Sequence, residues 1–290
     1  MIGNVRLPNM SNLAARIATD ERRDALLQLI GAKPVIMGII NVTPDSFSDG
    51  GRFQSLDAAL AQANKLIADG ADIIDVGAES TRPGHTPVPL EEEWRRLEPL
   101  LAPLLADVAA PLSIDTHKAE IARRAAALGV CVINDVWGLQ KDPAMADVVA
   151  ESGTAVVIMH NRESIDPDLD VEADLKGFFD RSLKLADRAG IPRRRILLDP
   201  GIGFGKNRAQ NRKALALTGA LRAAFGLPIL IGVSRKRLLS DPLADLDGHL
   251  IVTLAANLSA LARGAAVFRV HDAAEHAVAF KVFEAIEHAD

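Results

Sequence analysis

Four side chains of complementary hydrogen-bonding character follow four separate apolar runs. Asp115 follows Leu112-Ser-Ile, Asn134 follows Val130-Cys-Val-Ile, Asp199 follows Ile196-Leu-Leu, and Lys236 lies a few residues beyond Ile229-Leu-Ile. Together they offer two carboxylates, an amide and an ammonium. That inventory suits a flat heterobicyclic ring with a 2-amino group, ring N–H groups and a 4-oxo group. Carboxylates accept from the amino and N–H edges, and an ammonium donates to ring oxygen or nitrogen. A second set is Arg269 and His271. Residues two apart in a strand share a face, so both can meet one anion, the guanidinium as a fork and the imidazole as a further donor. The other reading of Arg269 is an ion pair with a neighbouring carboxylate.

Asp199-Pro-Gly-Ile-Gly-Phe-Gly-Lys206 is glycine-rich but is not a nucleotide loop. Pro200 and Asn207 break the phosphate-loop pattern, and the alternating glycines break the dinucleotide fingerprint. What remains is an acid at a strand end, a tight turn, and a lysine whose part is either functional or structural. The seven histidines form no H-x-x-x-H pair, and a lone cysteine excludes a thiolate zinc site. His160 reads as a packed or hydrogen-bonded residue. Mg²⁺ held through Asn41 and a substrate diphosphate stays compatible, since Mg²⁺ takes few protein oxygens. Trp137 and Phe204 either stack on a flat ligand or pack their loops. Cys131 reads as core, and Met159 as core or pocket floor.

The elements that must position these residues alternate. Eight short apolar runs lead to Asn41, Asp75, Asp115, Asn134, His160, Asp199, Ser234 with Arg235 and Lys236, and Arg269 with His271. Helical periodicity covers 55–69, 90–109, 118–128, 143–152, 173–189, 208–224, 250–263 and 273–287, with stops at Gly70, Gly129, Gly153, Gly190 and Gly264. Strands alternating with helices imply a parallel sheet. About eight such units favour a closed (β/α)₈ barrel, with the polar tips gathered on one face; an open doubly wound sheet is the alternative. Residues 34–290 form that α/β domain. Residues 1–33 are a helical lead-in that plugs or packs against it, with one amphipathic helix over about 11–30. Two long turn-rich loops, 41–51 and 79–89, follow strands and have the character of mobile lids.

Composition excludes several classes. The chain has 290 residues, 49% hydrophobic, with a net charge of −5, against a general nucleic-acid binder. No run approaches the roughly 20 apolar residues of a membrane span. A single cysteine fits a reducing, cytoplasmic compartment.

Met37-Gly-Ile-Ile-Asn-Val-Thr-Pro-Asp-Ser-Phe-Ser-Asp-Gly-Gly51 resembles the first signature of the dihydropteroate synthase family, and Gly77-Ala-Glu-Ser-Thr-Arg-Pro-Gly84 resembles the second. Ser113-Ile-Asp-Thr116, Ile133-Asn-Asp135, the Asp199–Lys206 stretch, Gly232-Val-Ser-Arg-Lys236 and Arg269-Val-His-Asp272 follow in the family's order. The resemblance runs from about Pro34 to the C-terminus. It implies a pterin-binding TIM barrel that joins 6-hydroxymethyl-7,8-dihydropterin diphosphate to p-aminobenzoate in folate biosynthesis. Asp115, Asn134, Asp199 and Lys236 would hold the pterin, with Met159 and Phe204 beside it. Asn41, Thr81, Arg82, Arg269 and His271 would hold the diphosphate, with Mg²⁺ near Asn41. Ser234 and Arg235, with Thr81 and Arg82, would meet p-aminobenzoate or a sulfonamide in its place. Asp45 and Phe47 belong to the closing loops. The resemblance also implies a homodimer.

Two stretches depart from the family's pattern. After His160 the chain runs Asn-Arg-Glu-Ser-Ile-Asp-Pro-Asp where many members carry a Met-Gln-Gly-Thr-Pro type segment, and Asp247-Gly-His249 replaces a small-residue helix start. Two rival functions share the barrel: a methyltetrahydrofolate:corrinoid methyltransferase, which has no need of the long closing loops, and a pterin binder without turnover.

Overall fold

Short runs buried on both faces form the strands of a parallel sheet, which read as continuous apolar stretches because helices cover one face and the barrel interior the other. In the computed structural model, which describes residues 10–42, 52–79, 87–236 and 249–289, these strands are β1 (Val35–Asn41), β2 (Ile73–Gly77), β3 (Leu112–Asp115), β4 (Val132–Asp135), β5 (Ala155–Met159), β6 (Ile196–Asp199), β7 (Leu230–Ile231) and β8 (Val267–Val270). They pair in parallel in the order β6-β5-β4-β3-β2-β1-β8-β7. The ring closes through a parallel bridge between Leu198 and Ile229, with Leu198 N–H donating to the Pro228 carbonyl at 3.0 Å. The open-sheet alternative is therefore set aside.

The helices between strands are α2 (Arg52–Ala68), α3 (Leu90–Asp107), α4 (Ala119–Leu128), α5 (Met145–Ser152), α6 (Val171–Ala189), α7 (Arg208–Ala216), α8 (Thr218–Phe225) and α9 (His249–Leu261), and α10 (Ala273–Glu287) follows β8. The periodicity over 208–224 is one segment in sequence but two helices in space, because the chain breaks at Leu217 (ψ 0°) and Thr218 Oγ1 donates to the Leu215 carbonyl. All five glycines expected to stop helices have positive φ, between 75° and 117°. That conformation closes a helix at little cost only without a Cβ.

Two apolar layers result. Outward side chains such as Ile36, Ile74, Ile114 and Phe268 pack under the helices. Inward side chains at the N-terminal strand ends, among them Met37, Ile73, Val132, Leu197 and Val267, fill the barrel floor. The lead-in helix α1 (Met10–Ala32) seals this floor: Leu26 and Ile30 join the inner layer at 4% and 8% exposure. Arg23 donates from the helix to the Gly153 carbonyl at 2.6 Å, and Arg22 to the Leu105 carbonyl at 3.3 Å.

Two residues further along four of the strands, the same inward phase turns polar. Ile73 leads to Asp75, Val132 to Asn134, Leu197 to Asp199 and Val267 to Arg269. Side-chain period two thus gives the barrel an apolar floor and a charged mouth.

Candidate active site

The strand register puts the polar tips in one row. Asn41 pairs with Gly77, Gly77 with Asp115, and Asp115 with Asn134; across the barrel, Met159 pairs with Asp199. Gly77 leaves Asp115 room here, because a Cβ on it would sit 3.3 Å from that of Asp115 and press on it.

One level below this row lies Asp75, fully buried. Its Oδ2 accepts from Arg269 Nε at 2.6 Å and from Asn134 Nδ2 at 3.2 Å. Arg269 Nη2 donates to Asp115 Oδ2 at 2.8 Å. One guanidinium therefore ties two carboxylates, and one carboxylate ties the amide. Of the two readings of Arg269, the carboxylate pairing is the one formed here; among the described residues Nη1 has no acceptor. Burial works against the Arg269 charge, but Asp75 and Asp115 outweigh it and raise its pKa. Asp115 is pushed well above the ordinary carboxylate range, first by burial, with Arg269 opposing and Asp75 adding repulsion. Asp75 is the residue that sequence reasoning missed. The signal for it is a carboxylate inside the run Ile73-Ile-Asp-Val76, which must be paired once buried.

Asp199 faces the same mouth at 4% exposure. Its Oδ1 accepts from Gly201 N–H at 2.7 Å. Burial raises its pKa, opposed by that bond and by Lys236, Lys206 and Arg269. Lys236 Nζ donates to the Ile202 carbonyl at 2.5 Å and lies 4.7 Å from the centre of the Phe204 ring. The four residues proposed for a heterobicycle thus converge, and Phe204 accompanies Lys236. Met159, 4% exposed, lies at the end of β5 beside Asp199. Asn41 is exposed at the rim.

Ser234 and Arg235 both have partners just past β8. Ser234 is 8% exposed, and its Oγ accepts from His271 N–H at 3.1 Å and lies 2.9 Å from His271 Nδ1. Either atom of the Oγ–Nδ1 pair can supply the proton, and in both cases the contact fixes the orientation of the imidazole. Ser234 therefore sets His271. Arg235 is exposed, pairs with Asp272 at 2.5 Å, and has φ 56°. A left-handed arginine is uncommon and marks backbone held for position. Thr81 and Arg82 lie outside the described residues, as do Asp45 and Phe47. His160 is buried and bonded to Asp174 and Lys206, as a packed residue should be. Trp137 packs under Lys141, whose Nζ sits 4.5 Å from the ring centre. A cavity of about 570 Å³ lies at the opposite end, beneath α1, and has no part in this mouth.

Comparison with known proteins agrees with this geometry. Residues 37–271 match the family of pterin binding enzymes, and the chain belongs to that family. Among its relatives are dihydropteroate synthases. That of Bacillus subtilis is 42% identical over 244 residues, covering 83% of this chain and 84% of its own; that of Escherichia coli is 40% identical over 250 residues, covering 83% and 88%. A solved dihydropteroate synthase from Clostridium difficile, in the presence of pteroic acid, superposes with a TM-score of 0.84 at 44% identity, covering 88% of this chain and 97% of that one. One from Xanthomonas albilineans, in complex with 7,8-dihydropteroate, gives 0.80 at 41%, covering 89% and 95%. The chain also matches 30% of a probable bifunctional folylpolyglutamate synthase/dihydropteroate synthase of Haloferax volcanii, at 43% identity.

The raised carboxylates predict a pH dependence. The ionised forms of Asp115 and Asp199 accept from ring N–H groups through charge-assisted bonds, which are stronger than those a protonated carboxyl can accept. Affinity for a pterin should therefore climb as pH rises from the ordinary carboxylate range towards neutrality, by up to about tenfold per unit, and then level off. In Asp115→Asn the climb should be shallower, leaving the share due to Asp199. Calorimetric titration across that range checks this; identical slopes in both proteins would remove Asp115 from the pterin site.

Proposed function

We propose that the chain condenses 6-hydroxymethyl-7,8-dihydropterin diphosphate with p-aminobenzoate, giving 7,8-dihydropteroate and diphosphate. This is an alkyl transfer, of the pterin methylene from oxygen to nitrogen. One observation carries the reading. Donors and acceptors matching a pterin edge converge from β3, β4, β6 and the β7 end beside an arginine and a histidine from β8. Relatives of like length share both the family and this activity.

Asp115, Asn134, Asp199 and Lys236 hold the pterin edge, with Met159 and Phe204 against its body. Arg269, held between Asp75 and Asp115, and His271, held by Ser234, face the diphosphate. Thr81 and Arg82 are assigned to the diphosphate and to p-aminobenzoate on the resemblance. Of Ser234 and Arg235, the exposed Arg235 is the one available to the p-aminobenzoate carboxylate, or to a sulfonamide competing for its place. Asn41 fits a Mg²⁺ carried by the diphosphate, since its side-chain oxygen is a hard donor on the exposed rim. Among the described residues no group of three or more His, Cys, Asp or Glu forms a cage of its own. When bound, Mg²⁺ neutralises charge on the leaving diphosphate.

Breaking the C–O bond first leaves positive charge at the methylene, which the electron-rich dihydropterin can delocalise. Carboxylates against the ring favour that charge. The weakly basic aryl amine then attacks late and loses its proton afterwards, so no strong general base is required.

The protein is assigned to the cytoplasm as a homodimer, with small-molecule substrates and no nucleic-acid or membrane partner. Cys131 is free and buried, and among the described residues no helix is long and apolar enough to cross a membrane. Val278, Val282 and Ile286 form a stripe on α10, 64%, 54% and 66% exposed, and Ile251 on the adjoining α9 is 65% exposed. An apolar stripe of this kind suits a second copy.

Four measurements test this reading. The purified chain should form 7,8-dihydropteroate from the two substrates. Asp199→Asn, which keeps the Gly201 acceptor, should weaken pterin binding by the ~1.5–3 kcal/mol of a charge-assisted bond; absence of product despite tight pterin diphosphate binding would leave a non-catalytic binder. Across substituted anilines the rate should change little with amine basicity, and a steep dependence would reverse the order of bond breaking and making. Wild type should sediment as a dimer and Val278→Glu/Val282→Glu as a monomer; a wild-type monomer removes the dimer.

A further inference from the structure

The turn after β6 is held from beneath by a lysine that the reaction does not use. Lys206 is 4% exposed, and its Nζ has three partners: His160 Nδ1 at 2.7 Å, the Gly201 carbonyl at 2.9 Å and the Phe204 carbonyl at 3.1 Å. An ammonium has three N–H groups and no acceptor, so every donor is used. Burial lowers the Lys206 pKa to about 7, with Asp199 and Asp174 opposing; in the ammonium form Nδ1 of His160 accepts, and the ring proton sits on Nε2 and goes to Asp174 Oδ2 at 2.8 Å. The other oxygen of Asp174 accepts from Arg162 Nη1 at 2.7 Å. The result is a line of side chains from α6 through the end of β5 into the turn. Burial keeps His160 neutral, its pKa lowered to about 4, while the His160 hydrogen bond holds Asp174 down at about 2.

The same turn builds part of the pterin site. It begins at Asp199, its Ile202 carbonyl accepts from Lys236, and its Phe204 ring lies beside that ammonium. Gly201 and Gly205 have positive φ and press on the β5 loop: a Cβ on Gly201 would fall 1.8 Å from the His160 carbonyl oxygen, and one on Gly205 2.4 Å from Arg162 Cβ. The departure from the family's pattern at 160–168 thus supplies Arg162 to this contact.

We propose that Lys206 is a positioning residue for pterin binding: anchored through His160 to Asp174, it fixes the 200–206 turn so that Asp199, the Ile202 carbonyl and Phe204 present Lys236 to the pterin. The inference rests on the pterin assignment above. The three Lys206 donors are taken within the chain, and none of the residues assigned to p-aminobenzoate lies in the 200–206 turn.

Lys206→Met keeps the length of the side chain and removes all three bonds. Asp174→Asn, at the partly exposed far end of the line, weakens the anchor without opening the core. Pterin diphosphate affinity is measured by calorimetry, KM for each substrate by product formation, and folding by circular dichroism. Lys206→Met should raise the pterin diphosphate Kd and KM about tenfold or more, as expected for losing a hydrogen bond to a charged group, and leave the KM for p-aminobenzoate within about twofold. Asp174→Asn should shift the same constants in the same direction by a smaller factor. Folded variants with wild-type pterin affinity, or with both KM values raised equally, overturn the proposal. If Lys206→Met does not fold, Asp174→Asn alone decides by the same criterion. A wild type that binds no pterin diphosphate would instead defeat the pterin assignment itself.

Discussion

Three charges share the mouth of the barrel because Arg269 stands between Asp75 and Asp115. Two buried carboxylates this close repel each other, and burial alone favours their protonated forms. The guanidinium offers one N–H edge to each and changes the balance. Everything else at the site is arranged around this unit. Asn134 is held by the same oxygen of Asp75, Asp115 takes its place in the rim row against Gly77, and His271 leaves β8 two residues beyond the guanidinium. The arrangement also suits the chemistry assigned to it. Carboxylates favour positive charge on the pterin, while Arg269 and His271 are the groups assigned to the departing anion.

Only a closed parallel ring brings these residues together. Asp75 and Arg269 are 194 positions apart, and Asp115 and Arg269 are 154 apart. β1 lies between β2 and β8 in the sheet, so both pairings reach across the interior. An open sheet ordered along the chain would leave such residues on separate surfaces. Membership of the pterin-binding family, with relatives of known activity over similar lengths, makes the corrinoid methyltransferase alternative unnecessary.

The sequence made the strands legible because burial on both faces leaves uninterrupted apolar runs, and each polar tip stands out where a run stops. Asp115, Asn134 and Asp199 were visible for that reason. Asp75 stands out in the same way, but its role does not, because only the strand order shows that it faces Arg269. The pairing of Arg269 with carboxylates is the lesser of the two readings that the linear sequence offers. Ser234 was visible as a polar residue past a strand, but its service to His271 depends on β7 and β8 being neighbours. Lys206 was ambiguous because its three acceptors come from two different loops. The break at Leu217 was hidden because helical periodicity continues through it.

The helix beneath the floor has a consequence of its own. Leu26 and Ile30 close the end of the cylinder remote from the reacting groups, and the connection from Ala32 to β1 is two residues long. Durability and turnover are therefore written in different places along the chain. Heat tolerance can drift through exchange of aliphatic side chains on this stopper, as the lower rim of such barrels generally permits. The upper rim, where single atoms meet substrate, has no comparable latitude.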